Sequence, residues 1–451
     1  MKVLIETHGC KLNLADSQHL ATEFAAAGYE IAADGEGPDV YVLNSCTVTH
    51  VADRKARQAV AAARRQFPGA LIVATGCYAE RAEGVVAALP AVDLTVANRG
   101  KDGLVSRVSG HLGMRAPTRA AATSVSARLR LGRTRASVKI QEGCDQVCAF
   151  CIVPKVRGRE RSIPEDEIVG EVRLLVGAGC PEVVLTGTQL GSYGSDLVDA
   201  SLPRLVARVL AETAIPRLRV SSLQPLELTD ELLSLWTGAG QGRLCPHFPL
   251  PLQSGSDAVL ARMRRRYAAV SFLKTVERVR AAVPDCSVTT DIIAGFPGES
   301  AGDHQATLAV MAQARFADVH IFRFSSRPGT SASHFPDQVP AAERAARAQE
   351  LRAAAAVHAA EHRARFVGTV RPVLWEGPRG NDGLTDNYLR VRIVRSSALG
   401  ETAVRQGRIE NVRLVALDGE VLLAEPASAP SPSLLPIPLQ AALWPPVFRP
   451  A

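Results

Sequence analysis

Short apolar runs alternate with helical patterns along the first 112 residues. The apolar runs are rich in Val, Ile and Leu, which is typical of parallel strands buried on both faces. They cover residues 3–7, 39–45, 70–76 and 91–97. Helical patterns cover residues 14–27, 50–66 and 79–89, and they end at Gly28, at Pro68-Gly69 and at Pro90. This alternation predicts an α/β domain with a doubly wound parallel sheet.

A second alternating series follows a polar segment. Residues 114–135 are rich in Arg, Ser, Thr and Ala without apolar periodicity, which predicts a basic linker. Beyond it, strands are predicted at 136–143, 182–188, 217–222, 247–255, 286–295 and 317–325, with helices near 164–178, 202–213, 229–237, 256–282 and 300–314. Six such units predict a partial (βα)6 barrel over 136–363, with its functional groups at the carboxyl ends of the strands.

The carboxyl third changes from a helical to a strand pattern. Residues 340–366 predict one long helix, in which His358, Glu361 and His362 resemble a zinc-protease motif by chance. Residues 364–425 predict a small β-barrel, whose arginines are Arg371, Arg379, Arg390, Arg392 and Arg395. That barrel either binds nucleic acid or is purely structural. The Pro-rich residues 426–451 predict a disordered or polyproline-like tail.

Charge and composition favour a cytoplasmic protein with an anionic partner. The net charge is +7 and the sequence pI is near 9.0, which is compatible with RNA binding. No apolar run reaches the ~18 residues of a membrane span, and the chain enters its first strand without a signal peptide. Nine cysteines in such a chain indicate metal binding or catalysis and not disulfides.

Three cysteines form a Cys-x-x-x-Cys-x-x-Cys motif directly after the first barrel strand. Cys144, Cys148 and Cys151 can hold three irons of a four-iron cluster and leave the fourth iron without a protein ligand. The alternative is a structural zinc site, which requires four protein ligands. No fourth Cys or His lies near this motif in the sequence.

A second group of cysteines comes from the first domain. Cys10, Cys46 and Cys77 each follow one of the first three predicted strands. Ligands bind at the carboxyl edge of such a sheet, so these cysteines are expected to converge on a second cluster. The alternative is that each is a small buried thiol. The remaining cysteines, Cys180, Cys245 and Cys286, precede strands and are expected to be inert.

Polar residues and glycines gather at the carboxyl ends of the barrel strands. They include residues 186–189, 221–222 and 253–255, and also Asp291, Gly295 and Ser325. Each alone is a common turn residue. Their shared position around one mouth predicts a small-molecule pocket.

The CDQVCAFC motif resembles the radical S-adenosylmethionine (SAM) superfamily, in which an aromatic residue, here Phe150, precedes the third cysteine. Together with Cys10, Cys46 and Cys77, the chain resembles the methylthiotransferase family over residues 1 to about 425. Matching segments include ETHGCKLNLADS, LNSCTVT, VATGCYAER, PKVRGRERS, DIIAGFPGE and FSSRPGTSAS. RVSSLQPLELTDELL and TGTQLGSYGSDL are most similar to the branch that acts on N6-threonylcarbamoyladenosine in tRNA.

The resemblance implies two [4Fe-4S] clusters and S-adenosyl-L-methionine as cofactors. The cluster at Cys144, Cys148 and Cys151 would bind and cleave SAM, and the cluster at Cys10, Cys46 and Cys77 would present sulfur. The cofactor contacts are expected at Phe150, Thr186, Gly187, Ser254 and Asp291. The C-terminal barrel resembles a TRAM domain, so the implied partners are a tRNA anticodon stem-loop, a flavodoxin- or ferredoxin-type electron donor and a sulfur source.

Residues 154–162 place a basic loop beside the first cluster. The loop is either a solvated turn or a contact to tRNA. We expect Arg157 or Arg159 to bind the substrate carboxylate with its planar fork. No further catalytic side chain is predicted beyond the cluster ligands.

Three other functions fit parts of the sequence. Two are methylthiotransferases with another substrate, either N6-isopentenyladenosine or a ribosomal-protein aspartate. The third is a non-catalytic iron–sulfur protein that binds RNA or transfers electrons, and it leaves the polar residues of the barrel mouth unexplained.

Overall fold

The computed structural model describes residues 1–32, 36–113, 134–377, 380–394 and 405–427. Residues 114–133 of the predicted linker, Arg379, Arg395 and the tail from residue 428 lie outside the described residues. The predicted domain boundaries at those positions stay predictions.

The first domain is built on a parallel five-stranded sheet, as predicted. In spatial order its strands are Glu30–Ile31, Lys2–Thr7, Val40–Ser45, Leu71–Gly76 and Leu94–Ala97. The helices are Lys11–Ala26, His50–Gln66, Cys77–Arg81, Glu83–Ala87 and Leu104–His111, with a 3-10 turn at Asn98–Gly103. The strand order reverses between Lys2–Thr7 and Val40–Ser45, and in open α/β sheets such a reversal marks the ligand-binding edge.

The central domain confirms the predicted partial barrel. Its six strands are Arg135–Lys139, Glu182–Thr186, Arg217–Val220, His247–Pro249, Ser287–Ala294 and Asp318–Arg323. They form two parallel three-stranded sheets joined by a bridge from Leu218 to Leu244. The outer helices are Glu165–Gly177, Leu202–Glu212, Asp230–Thr237, Asp257–Arg262, Ala269–Ala282 and Ala301–Ala314.

The inside of this barrel is polar. Alternate strand residues, such as Val138, Leu185 and Val220, belong to the apolar core between the strands and the helices. The intervening residues face the lumen because side chains alternate along a strand. They include Arg135, Lys139, Glu182, Arg219, His247, Asp291 and His320. Closed (βα)8 barrels fill these positions with branched apolar residues, so this lumen is built to hold polar groups.

The carboxylate of Glu182 neutralises arginines at the base of the lumen. It lies 2.8 Å from Arg219, 3.0 Å from Arg217 and 3.8 Å from Arg135. Burial alone would raise the pKa of Glu182, but the three guanidinium groups outweigh burial and lower the pKa to about 2.

The lowered pKa of Glu182 predicts an acid-sensitive contribution to stability. The ionised carboxylate stabilises the folded state above its unfolded pKa of about 4.3, and this contribution disappears as the pH falls towards 2. Glu182→Gln is therefore expected to lower the free energy of unfolding by about 3 kcal/mol at neutral pH. Urea unfolding of both proteins between pH 7 and pH 3 measures the difference. If the difference in the free energy of unfolding between the two proteins stayed constant from pH 7 to pH 3, Glu182 would not have the lowered pKa.

The C-terminal region consists of a helix and a closed barrel, as predicted. The helix Ala341–Ala364 leads into five strands, Val370–Trp375, Asp382–Thr385, Arg390–Ile393, Ile409–Asp418 and Val421–Pro426. Of the arginines that the sequence placed on this barrel, Arg371 is buried and pairs with Asp285 and Asp386. Arg390 and Arg392 are exposed.

The small barrel docks against the base of the central barrel. Arg217 donates to the backbone oxygens of Leu384 (3.2 Å) and Thr385 (2.8 Å), and Arg219 donates to that of Asp386. The Tyr388 ring stacks on His247 with 4.2 Å between ring centroids. The small barrel thus contributes a side chain to the interior of the central one.

The long helix Ala341–Ala364 uses its zinc-protease-like residues for packing. Glu361 pairs with Arg315, and His362 contacts the Ser287 hydroxyl at 2.9 Å. Within the described residues, no helix combines the length and the apolar character needed to cross a membrane.

Candidate metal centres

The cysteines of the first domain meet at the carboxyl edge of its sheet. Cys10 and Cys46 follow the two strands at the point where the strand order reverses, and Cys77 follows the next strand. The Asn13 side-chain oxygen lies 3.9 Å from the Cys10 sulfur and 3.8 Å from the Cys77 sulfur. All three are free thiols. The fold therefore brings together residues that are 67 positions apart in the sequence.

The electrostatics of this group suit a metal cluster. Burial raises the pKa of Cys46, and the neighbouring sulfurs of Cys10 and Cys77 raise it further. A cation that binds this group would favour the thiolate form of Cys46, and soft sulfur ligands suit soft metal centres, iron–sulfur clusters among them.

The second group of thiols lies in the loop after the first barrel strand. Burial raises the pKa of Cys144 to about 11 and that of Cys151 to about 12, and neighbouring cysteine sulfurs add to both shifts. Arg265 donates to the Cys148 sulfur at 3.3 Å. The guanidinium thus lies directly beside one of the three candidate ligand sulfurs.

Both groups fit a cluster by donor type and by convergence. In the described part of the chain, no three His, Cys, Asp or Glu side chains already form a compact ligand cage. The fit therefore rests on the shared strand-end position of each group and on its thiol chemistry.

Glycines with positive φ angles stand directly before three of these cysteines, at Gly9, Gly76 and Gly143. Gly76 and Gly143 have φ angles of +98° and +77°, which L side chains rarely adopt. A Cβ at Gly76 would collide with the Ser45 backbone oxygen, and one at Gly143 would collide with that of Arg159. The close approach of the chain at both positions explains why glycine precedes Cys77 and Cys144.

One short helix separates the two groups of thiols. The helix Val153–Arg157 begins two residues after Cys151, and Ile152 and Val156 pack against Cys77. Asn98 donates to the Val156 backbone oxygen (2.8 Å) and to the Cys77 sulfur (3.5 Å). The two candidate centres therefore face each other across the junction of the first two domains.

Arg157 connects this helix to both domains. Its side chain is 2% exposed and donates to Glu142 (2.6 Å), to Asp16 (3.0 Å) and to Asn13. Burial alone would lower the pKa of Arg157, but the Cys77 sulfur, Asp16 and other negative groups raise it. Both terminal nitrogens of the Arg157 guanidinium thus bind protein groups. The predicted contact between Arg157 and the substrate carboxylate stays a prediction.

Asp16 holds three cations at the same junction. Its carboxylate lies 3.0 Å from Lys101, 2.9 Å from Lys139 and 3.0 Å from Arg157. Burial would raise the pKa of Asp16, but these cations keep it well below its usual range. Asp16 therefore stays ionised and joins the first domain to the central barrel.

The other predicted site residues are distributed around the barrel. Phe150 is half-buried against the apolar cluster that contains Phe296 and Phe324. Thr186 and Gly187 end the second barrel strand, where an added Cβ at Gly187 would lie 3.0 Å from the Gln141 side-chain oxygen. Their contact to a cofactor stays a prediction.

Ser254, Asp291 and Arg159 already have protein partners. The Ser254 hydroxyl is buried, accepts from the Ser256 amide at 3.2 Å and contacts Thr307. Asp291 pairs with His320 at 3.2 Å. The Arg159 side chain is 88% exposed and lies 3.5 Å from Asp145. The cofactor and substrate roles predicted for these three residues likewise stay predictions.

Sequence reasoning missed the polar residues of the first helix. Asn13 and Asp16 follow Cys10 on the helix Lys11–Ala26 and are both buried. The sequence offers a signal: they are polar residues nearly one turn apart, next to Leu and Ala residues that the same helix buries. Lys11, His247 and Tyr388 gave no such signal, because three different domains bring them together.

Two family models match the first two domains of the chain. Residues 2–97 match the family model described as uncharacterized protein family UPF0004, and residues 138–311 match the radical SAM superfamily. A similar solved structure is that of the radical SAM methyltransferase TsrM from Kitasatospora setae, with cobalamin and a [4Fe-4S] cluster bound. The alignment covers 73% of the present protein and 76% of TsrM. The TM-score is 0.52 at 14% identity, a likeness that concerns the fold alone.

Similar proteins from bacteria match over most of the chain. The threonylcarbamoyladenosine tRNA methylthiotransferase MtaB of Bacillus subtilis is 34% identical over 405 residues, which cover 86% of this chain and 89% of that protein. The tRNA-2-methylthio-N(6)-dimethylallyladenosine synthase of Syntrophobacter fumaroxidans is 35% identical, covering 94% and 96%. With this identity and coverage, the chain belongs to the radical SAM tRNA methylthiotransferase family.

Proposed function

We propose that this protein adds a methylthio group to carbon 2 of N6-threonylcarbamoyladenosine at position 37 of tRNA. The observation that carries the proposal is the pair of three-thiol groups that face each other across the helix Val153–Arg157. Sulfur insertion at an unactivated aromatic carbon requires both a radical generator and a sulfur source at one place, and two adjacent centres provide this.

Each centre offers three thiolates to a four-iron cluster and leaves one iron without a protein ligand. Cys144, Cys148 and Cys151 would hold the cluster that binds S-adenosylmethionine, and Cys10, Cys46 and Cys77 would hold the second. Once bound, the clusters and S-adenosylmethionine supply the radical chemistry and the sulfur and methyl groups. The protein positions the two centres through Arg157 and Asp16, and it places Arg265 beside one of the ligating sulfurs.

The choice of substrate rests on the charge of the barrel lumen. Sequence identity does not separate the two substrates. The relative named for threonylcarbamoyladenosine is 34% identical to this chain, and the one named for dimethylallyladenosine is 35% identical. The threonylcarbamoyl group carries a carboxylate, whereas the dimethylallyl group is an apolar hydrocarbon. The lumen is lined by charged and polar side chains such as Arg135, Lys139 and Arg219, whose ion pairs a hydrocarbon would desolvate without giving anything in return, so it favours a charged group over an apolar one.

The proposed partners follow from the same assignment. The exposed Arg390 and Arg392 of the C-terminal barrel suit the phosphates of a tRNA anticodon stem-loop. The reaction also needs a flavodoxin- or ferredoxin-type electron donor and a sulfur source. It would take place in the cytoplasm, where tRNA is available.

Mass spectrometry of tRNA nucleosides tests the substrate. The gene is deleted in its own organism and then restored, and the nucleosides of both strains are compared. We expect the 2-methylthio form of threonylcarbamoyladenosine to disappear on deletion and to return on complementation. If the 2-methylthio form of N6-isopentenyladenosine disappeared instead, the protein would act on N6-isopentenyladenosine. A purified, reduced sample that forms no 5′-deoxyadenosine from S-adenosylmethionine would favour a non-catalytic protein.

A further inference from the structure

Lys11 is a basic residue at the meeting point of all three domains. It directly follows Cys10, and its ammonium lies 5.8 Å from the centre of the Tyr388 ring. Within the described part of the chain, no carboxylate forms an ion pair with it. The nearby carboxylate of Glu182 is already shared by Arg217, Arg219 and Arg135.

The surroundings of Lys11 are polar and contain a second unsatisfied group. His247 is 3% exposed and stacks on Tyr388, and its Nε2 contacts the Thr289 hydroxyl at 3.1 Å. Its Nδ1 atom is buried and has no hydrogen-bond partner among the residues that the structure describes. Buried polar groups are normally satisfied, so an unpaired one beside an unpaired cation indicates a place for a ligand.

The neighbouring cations have protein partners, but they share fewer carboxylates than there are cations, so this part of the lumen keeps an excess of positive charge. Arg219 and Arg217 pair with Glu182, and Arg135 pairs with Glu376 at 2.6 Å. His320 pairs with Asp291. Of these groups only Lys11 lacks an anionic partner, and its formal charge matches that of a single carboxylate.

The lumen is open to solvent on the side of its last strand. The inward-facing residues of the strand Asp318–Arg323 remain accessible, with the His320 side chain 65% exposed and Phe322 37% exposed. A group that enters at the carboxyl ends of the strands can therefore reach the lumen without crossing a packed core.

We infer that Lys11 binds the carboxylate of the threonylcarbamoyl group inside the barrel lumen, beside His247 and Tyr388. This inference rests on the proposed function. Lys11 would be a substrate-positioning residue, and its place next to Cys10 would link recognition of the amino-acid group to the second centre. An apolar isopentenyl group in the same place would leave the ammonium unpaired, which disfavours that substrate.

Kinetics on two matched substrates test the inference. One is an anticodon stem-loop with threonylcarbamoyladenosine, and the other carries the methyl ester of the same group, which lacks the charge. On the acid substrate, Lys11→Gln is expected to lower kcat/KM at least tenfold, mostly through KM. On the ester, Lys11→Gln and the wild type should be equally slow. Iron content and the formation of 5′-deoxyadenosine without tRNA show whether the variant is folded and loaded.

The outcomes separate the inference from the proposed function. A wild-type protein that fails to methylthiolate the acid substrate overturns the proposed function. Equal losses by Lys11→Gln on acid and ester overturn the role of Lys11 alone. Arg159→Gln is the matched control, because Arg159 is the exposed arginine that could bind the same carboxylate. If Arg159→Gln, and not Lys11→Gln, selectively lowered kcat/KM on the acid substrate, the carboxylate-binding site would lie in the basic loop.

Discussion

Replacing Cys46 by Ala is expected to abolish methylthiolation and to leave the cleavage of S-adenosylmethionine intact. Cys46 is buried between Cys10 and Cys77 on the sheet edge of the first domain, apart from the barrel loop that carries the other three cysteines. Its loss leaves two thiols for the second cluster. We therefore expect about half of the wild-type iron per chain, no methylthiolated tRNA, and continued formation of 5′-deoxyadenosine under reducing, anaerobic conditions.

Two further variants complete the experiment. Cys148→Ala is expected to halve the iron as well, but also to abolish 5′-deoxyadenosine formation. Cys286→Ala is the matched control, since Cys286 is a buried thiol outside both groups and its replacement should change neither the iron content nor the activity. If Cys46→Ala lost both clusters, or if it retained full methylthiolation, the assignment of two separate centres would be wrong.

Arg157→Met is expected to destabilise the protein by about 3 kcal/mol, the lower end of the range for a broken buried ion pair. The guanidinium is almost fully buried and holds Glu142, Asp16 and Asn13 together. The loss stays at the lower end because Lys139 still pairs with both Glu142 and Asp16. The free energy of unfolding in urea measures the effect.

The matched control is Arg159→Met, two residues away. The Arg159 side chain is exposed and has one long contact, so its replacement should change stability by no more than about 0.5 kcal/mol. We also expect Arg157→Met to slow methylthiolation more than cleavage of S-adenosylmethionine, because Arg157 ties the helix between the two centres to the first domain. Equal stabilities of the two variants would show that Arg157 does not hold the junction.

The contribution of Tyr388 gives the C-terminal barrel a role beyond contacts to tRNA phosphates. Its ring reaches His247 in the lumen, while the backbone just before it, at Thr385 and Asp386, accepts hydrogen bonds from arginines at the barrel base. The domain that is proposed to bind the tRNA thus also shapes the pocket that is proposed to receive its modified base.

The sequence by itself determined the elements, the fold class and the family. Periodicity located most strands of the two α/β domains to within a few residues, since buried parallel strands form short apolar runs that end at Gly, Pro or polar residues. The predicted strand 247–255 was too long, because the observed strand ends at Pro249, and the short strand Glu30–Ile31 was not predicted. The spacing of Cys144, Cys148 and Cys151 is a local property, so it could be interpreted without a structure. The strand-end rule also placed Cys10, Cys46 and Cys77 on one edge.

Only the tertiary structure decided how the charged residues are used. Arg157 looked like a free arginine in a basic loop, but its partners Asp16 and Glu142 come from two other segments. Arg371 was predicted only as one of the arginines of the small barrel, and the structure shows it buried and paired with Asp285 and Asp386. Lys11 gave no signal at all. The physical reason is that a charge acts on whatever lies within a few ångströms of it, and those neighbours are set by the packing of domains that are distant in sequence.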